Sequence, residues 1–447
     1  MKETDRTILR ILIPVILENA LMTLSSMILT GYIGRLTVDQ ISIYGLQNRI
    51  YGIYYMLFKG VAIGVLVLIA GAFGRRDHNE AERLLKNSYM CVIPAAVILL
   101  GIIAVFRGSI LSVMTNDAAL LDGTKAFLNK TMWFFPMLAV ISLNASAFQA
   151  NGNTRTPMFI AALGNLVSIV CGYVLIFGIG SFGGFGLDGA AYAQRISFTA
   201  MMLCGLWFLY GRHGLFAGML TRIPRPDLNT FRDICRLGIP ASLESSAWQI
   251  STIFISRVIL LYGKDTYAAY QFGLQAEGFC DMMTAGFTTA ALTLSANAIG
   301  ALDEGQYRLG FRRLFRFGVI ISAITSLYLL LFSRFTLTLL TDKEHLISIA
   351  LVYMYLMIFS QFPQHVQKIY AGYIRTSGHP KTPMLINMTG LWGVRLPLTI
   401  IAGQLLHLPV FWLWVIIDID QWVRFTLSYI LMKKDSVMQY VAKLKNA

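Results

Sequence analysis

The sequence predicts an all-α integral membrane protein, with twelve transmembrane helices in two parallel six-helix lobes related by a pseudo-two-fold axis along the membrane normal. Three observations predict it. Of 447 residues, 56% are hydrophobic and only 13% are charged, with a mean hydropathy of +0.62, whereas a soluble domain carries roughly 25% charged residues. Apolar runs of about 20 residues or more, the span of one bilayer, recur about twelve times. The third observation is that the second half of the chain repeats the first at a constant offset.

The first run, 8–34, follows the basic start Met1 to Arg10. It is longer than a signal-peptide core and lacks a small-residue cleavage site, so this helix is expected to stay in the mature protein. Runs at 42–73, 88–107, 121–150, 157–179 and 186–210 complete the first half. The longest polar connection then carries Ile223-Pro-Arg-Pro226-Asp227. Proline there stiffens an extended segment and stops a helix from running through. Runs at 232–262, 266–299, 311–334, 344–375, 383–406 and 409–432 form the second half. The expected division is an N-terminal lobe over 1–210, a cytoplasmic linker over 211–230 and a C-terminal lobe over 231–447.

The repeat is read from scarce residue types. Adding 226 to Arg10, Pro14 and Glu18 gives Arg236, Pro240 and Glu244. The same offset pairs Tyr44 with Tyr270, Gly52 with Gly278, Gly60 with Gly286, Gly74 with Gly300 and Asp77 with Asp303. It also pairs Gly152, Thr156 and Pro157 with Gly378, Thr382 and Pro383, and Gly164 with Gly390. An even number of spans per half returns the chain to the same side, so the repeats are parallel.

The formal net charge of +14 follows topology. Lys and Arg gather in alternate connections, such as Arg75, Arg76, Arg83 and Lys86, then Arg308, Arg312, Arg313 and Arg316, while the intervening ones hold few. That is the positive-inside bias, with both termini cytoplasmic and the basic residues facing anionic lipid headgroups. It excludes nucleic acid as the expected partner. The five cysteines show no paired or metal-like spacing and are expected to pack as small apolar residues.

An ionisable residue inside a membrane helix costs several kcal/mol and marks a functional site with a partner to be found. Glu18 and Glu244 each lie about 12 residues into a span, roughly 18 Å along it and near mid-bilayer. Each is a candidate to bind a proton or coordinate a cation, or to form a permanent ion pair with Arg257 or another buried cation. Glu277 and Asp281 stand four apart, on one face of the eighth span, and join them as ion-coupling candidates. Arg395 in the eleventh span and Asp418 and Asp420 in the twelfth, which also holds Arg424, read as interfacial residues or structural pairs. Lys59 is expected to face a cavity or a carboxylate such as Glu18. Tyr51, Tyr55, Trp248, Gln249, Tyr270, Met283 and Gln364, with Lys59, are the candidate substrate-binding residues: aromatic and Met surface suits flat or cationic molecules through stacking and cation–π contacts. The chain shows no phosphate-binding loop, zinc-like spacing or serine nucleophile elbow, so neither an enzyme nor an ATP-driven pump is expected.

Several stretches resemble the multidrug and toxic compound extrusion (MATE) transporters: Ile33-Gly-Arg-Leu36, Leu237-Gly-Ile-Pro-Ala-Ser-Leu-Glu244, Ala268-Ala-Tyr-Gln271 and Gly286-Phe-Thr-Thr-Ala-Ala-Leu-Thr293. The paired Gly-x-x-[Arg/Lys]-Thr-Pro loops ending at Pro157 and Pro383 add to the likeness. The resemblance implies two lobes around a V-shaped cavity and export of organic cations or xenobiotics against H+ or Na+. No cofactor beyond that coupling ion is implied. The partners expected are a small-molecule substrate and membrane lipid, for a monomer in the cell membrane. Positions where many relatives carry ion-binding residues align with Leu29, Ser168 and Gly172, and those of another branch with Trp248 and Gln364. By elimination the resemblance makes Glu244 the leading coupling residue. The rival expectation is a flippase for a lipid-linked saccharide, hinted at only by Lys59 and Arg195.

Overall fold

The computed structural model describes residues 2–114, 117–179, 182–217, 227–433 and 435–446. The linker prolines, Pro224 and Pro226, lie outside the described residues. Among the described residues, twelve long helices make up the fold. The first six are α1 (Lys2–Ile33), α2 (Val38–Gly74), α3 (His78–Met114), α4 (Ala118–Ala150), α5 (Arg155–Phe177) and α6 (Leu187–Tyr210). The second six are α7 (Leu228–Leu260), α8 (Lys264–Gly300), α9 (Glu304–Thr338), α10 (Glu344–Thr376), α11 (Thr382–Leu405) and α12 (Val410–Lys433). Two short helices, α13 (Asp435–Met438) and α14 (Tyr440–Asn446), follow. A two-residue ladder, β1 (Gly178–Ile179) against β2 (Phe182–Gly183), sits between α5 and α6. Among the described residues, eight helices are long and apolar enough to cross a membrane by length and composition alone. The others are α6, α7, α8 and α12, the last three of which carry carboxylates at mid-helix.

The repeat is visible in the elements. Helix starts at 2, 38, 78 and 118 recur at 228, 264, 304 and 344, the offset of 226 read from the sequence. Matched turns share matched backbone. Arg76 and Leu302 both sit at positive φ, 59° and 51°. The aspartate after each caps the next helix, Asp77 Oδ1 accepting from Glu80 N at 2.8 Å and Asp303 Oδ1 from Gln306 N at 2.9 Å. Left-handed backbone costs an L-residue about 1–2 kcal/mol, so Leu302→Gly should stabilise the protein by about 1 kcal/mol. Thermal unfolding of the purified variant checks this, and a melting temperature at or below that of wild type would contradict it. Gly152 and Gly378, at φ 75° and 83°, end α4 and α10 in the conformation glycine adopts most readily. Pro157 and Pro383 then stand in the first turns of α5 and α11, where a missing N–H costs nothing.

The compact units are cut at other places than the repeat. One comprises Leu17–Ser242, and the other comprises residues up to Ile16 together with the chain from Leu243 onward. Each cut falls two residues beyond a proline inside a helix, Pro14 in α1 and Pro240 in α7, where the hydrogen-bond ladder is already interrupted. The start of α7 therefore packs with α2 to α6, and the start of α1 packs with α8 to α12.

Small residues make the seats. At Gly60 a side chain would strike the backbone of Ser242, whose hydroxyl donates to Leu57 O at 2.7 Å. One turn on, a Cβ at Gly64 would lie 2.8 Å from Gly238 N. In the other unit Gly286, the repeat partner of Gly60, receives Leu12 and Ile16, a Cβ there lying 3.2 Å and 3.3 Å from their side chains. Ile8, Ile11 and Leu12 join a buried cluster with Phe287, Ala290 and Ala291, and Asp5 pairs with Arg313 at 3.3 Å.

Candidate functional site

The second unit holds a connected set of charged and polar side chains. Glu244 enters from α7, one turn beyond the Pro240 break. Its Oε2 accepts from Arg375 Nη2 at 2.6 Å and its Oε1 from Asn387 Nδ2 at 2.5 Å. Of the alternatives for Glu244, the ion pair with a buried cation is the one made, and that cation is Arg375, in the last turn of α10, rather than Arg257. Asn387 also accepts from Gln367 at 3.3 Å and from Arg424 at 3.4 Å. Arg424 Nη2 donates to Asp420 Oδ2 at 2.5 Å, and Arg395 Nε pairs with the same oxygen at 2.8 Å. Asp420 is fully buried and the two arginines nearly so. Arg395, Asp420 and Arg424 are thus a core network, and the structure takes the structural-pair alternative over an interfacial one.

α11 is built to admit this network. It is π-helical over Thr389–Arg395 and Ile401–Leu405, whereas its repeat partner α5 is α-helical throughout. Wider turns of this kind recur at functional sites. At Gly390, a Cβ would collide with Asp420 and with the stem of Arg424.

Glu277 and Asp281 lie on one face of α8, as their spacing predicts. Their direct hydrogen bonds come from neutral groups. Tyr353 OH donates to Glu277 Oε2 at 2.5 Å, and Gln364 Nε2 donates to Asp281 Oδ1. Glu277 is buried and Asp281 is exposed. The two carboxylates act on one another electrostatically, with Arg395 and Asp418 also in range of Glu277.

The other predicted residues fall as follows. Trp248 is exposed, while Gln249, Met283 and Gln364 are half-buried. Tyr270, expected on a binding surface, packs instead in the core. It is 3% exposed, its ring stacked on Trp414 at 5.1 Å and edge-on to Tyr353. In the first unit Tyr51 stacks between Tyr55 and Phe198. Lys59 is exposed, its ammonium 5.6 Å from the Tyr55 ring centre. It acts on Glu18 electrostatically, and Oε2 of Glu18 is a buried atom with no hydrogen-bond partner among the described residues. Leu29 packs on Gly172, a Cβ there lying 3.0 Å from its methyl, and Ser168 is buried nearby in α5. Of the three aligned positions, Leu29 and Gly172 meet in an apolar contact and Ser168 is a buried hydroxyl.

Sequence reasoning missed Arg375 and Asn387 as the partners of Glu244. The repeat itself held the signal. The matching first-half positions are Gln149 and Ala161, so the place of Arg375 holds a neutral carboxamide in the first half and the place of Asn387 holds a methyl.

The model of the MatE family matches residues 14–174 and 240–401. The chain belongs to the MatE family. Like other members of this MATE family, it is a multi-pass membrane transporter. It is 23% identical to the probable multidrug resistance protein NorM of Thermotoga maritima over 434 residues, covering 95% of this chain and 91% of the relative. It is 27% identical to the protein of the same name in Brucella suis over 400 residues, covering 86% and 82%. Among solved structures, a MOP superfamily transporter from Pyrococcus furiosus, described as having a binding pocket of reverse polarity, superposes with a TM-score of 0.89. The sequence identity is 17%, with 99% of this chain and 97% of that one covered. A multidrug resistance MATE family transporter in an outward-facing conformation gives 0.89 at 16% identity over the same shares. These likenesses support the twelve-helix fold.

Proposed function

We propose that this MATE-family chain is a secondary-active exporter of small amphiphilic compounds, cationic ones among them, driven by inward H+ or Na+. In this reading Glu277 and Asp281 load the ion. The observation that carries it is the pairing of two carboxylates one helical turn apart, bonded among the described residues by a phenol and a carboxamide. Like charges so placed repel, and one proton or one Na+ relieves that repulsion. Both oxygens of Glu244 are engaged by Arg375 and Asn387, which suits an anchor for α7 just beyond the break at Pro240. Substrate and ion weaken each other's binding when they compete, and the effect is reciprocal. The relatives named as multidrug resistance proteins support the substrate class, and the alternation of basic connections supports a cell-membrane protein with cytoplasmic termini.

The test is efflux of ethidium from proteoliposomes, with a pH gradient and a Na+ gradient imposed separately. Glu277→Gln and Asp281→Asn should each lower gradient-driven efflux about tenfold, the size of a typical coupling energy. Glu244→Gln should keep coupling and melt at a lower temperature. A Glu244→Gln protein of normal stability without coupling, beside coupled Glu277→Gln and Asp281→Asn, would transfer the ion to Glu244.

A further inference from the structure

Four basic side chains lie along α10, α11 and α12 in the interior of the second unit. Three are matched: Arg375 by Glu244, and Arg395 and Arg424 by Asp420. The fourth, Lys368 on α10, makes no ion pair or hydrogen bond among the described residues. It is half-buried, and the charges in range of it are Glu244, Arg424, Asp281 and Arg375. Glu244 is already held through both oxygens, and Asp281 is bonded through one by Gln364, which stands one turn before Lys368 on the same helix. An ammonium held inside a membrane lobe without a contact partner is costly unless something reaches it. Of the carboxylates in range of it, Asp281 is the exposed one and keeps one oxygen without a hydrogen bond among the described residues.

We propose that Lys368 is an anion-accepting subsite, so that the preferred substrates are zwitterions, with a cationic moiety at Asp281 and a carboxylate or similar oxyanion on Lys368. This rests on the exporter reading above and narrows its substrate class. A purely cationic compound would satisfy Asp281 and leave the lysine unmet, whereas a zwitterion satisfies both. A charge-assisted hydrogen bond from an ammonium is among the stronger polar contacts available to a ligand.

Rhodamine B and its methyl ester share one cationic ring system and differ only in the free carboxylate, which makes them a matched pair of probes at neutral pH. Binding to the purified full-length protein is read by dye anisotropy, and export by uptake into energised vesicles. Wild type should bind the acid about tenfold or more tightly than the ester, the value of one hydrogen bond to a charged group. Lys368→Gln should bring that ratio near unity by weakening the acid, and a melting temperature near that of wild type shows that the variant is folded. Lys368→Arg should retain the preference. If wild type binds and exports the ester with no preference for the acid, or if Lys368→Gln keeps the preference, the subsite is overturned and the exporter stands. If wild type neither binds nor exports either dye, the exporter reading falls and the subsite with it.

Discussion

Asp420→Asn is expected to cost this protein about 3–5 kcal/mol of stability, the penalty for removing one partner from a buried ion network. A single carboxylate oxygen, fully buried, meets Arg424 at 2.5 Å and Arg395 at 2.8 Å. Two guanidiniums share one anion, so losing its charge strands two cations at once. Asparagine keeps the shape and can still accept one hydrogen bond, which makes the comparison one of charge rather than volume. Arg424 also donates to Asn387, and Asn387 holds Glu244, so the loss should extend to α7. Thermal unfolding in detergent measures it. A variant that melts with wild type would mean the two arginines find other partners, and that the network around Gly390 is dispensable to the fold.

Gly60→Val should be nearly as damaging for a different reason. A side chain at residue 60 runs into the backbone of Ser242 rather than into a flexible tip, so no rotamer change relieves it. The hydroxyl of Ser242 would be driven off Leu57 O, and the neighbouring approach of Gly64 to Gly238 would open with it. Overpacking of this kind costs about 1–3 kcal/mol, and more where the backbone must move. The expected readout is faster proteolysis within residues 228–242 together with a lower melting temperature. Gly286→Val should be milder, because the closest atoms it meets are side-chain atoms of Leu12 and Ile16 at 3.2 Å and 3.3 Å, which need shift only by a few tenths of an ångström. Equal effects from both substitutions would show that the closeness of approach does not set the cost.

Much of the fold was legible in the sequence because hydropathy and scarce residues report it directly. Apolar runs marked the helices, and Pro, Gly and Asp at a fixed offset marked the repeat. The same markers found Glu244, Glu277 and Asp281, because an ionisable residue in an apolar run is conspicuous. What stayed hidden was partnership. Arg375 stands at a helix end, in a stretch that reads as a polar loop, and only tertiary packing shows that it is buried against Glu244. Tyr270 carries no mark in the sequence to tell a core tyrosine from one on a binding surface. The packing cuts at Ile16 and Ser242 were hidden for a similar reason. Proline announces a weak point, but which unit each side joins is decided by glycine seats far along the chain.

Those seats bear on how such a chain arises. Each half of the repeat contributes an opening helical segment that is housed by the other half, and each half offers the glycine-lined groove that receives it. A lone six-helix ancestor would have carried an unhoused arm and an empty groove, and two identical copies would have cured both defects by trading arms. Exchange of an identical element between protomers is a low-cost route to a dimer. In the present chain the segments up to Ile16 and from 228 to 242 stand in such traded places, each packed in the unit built by the other half.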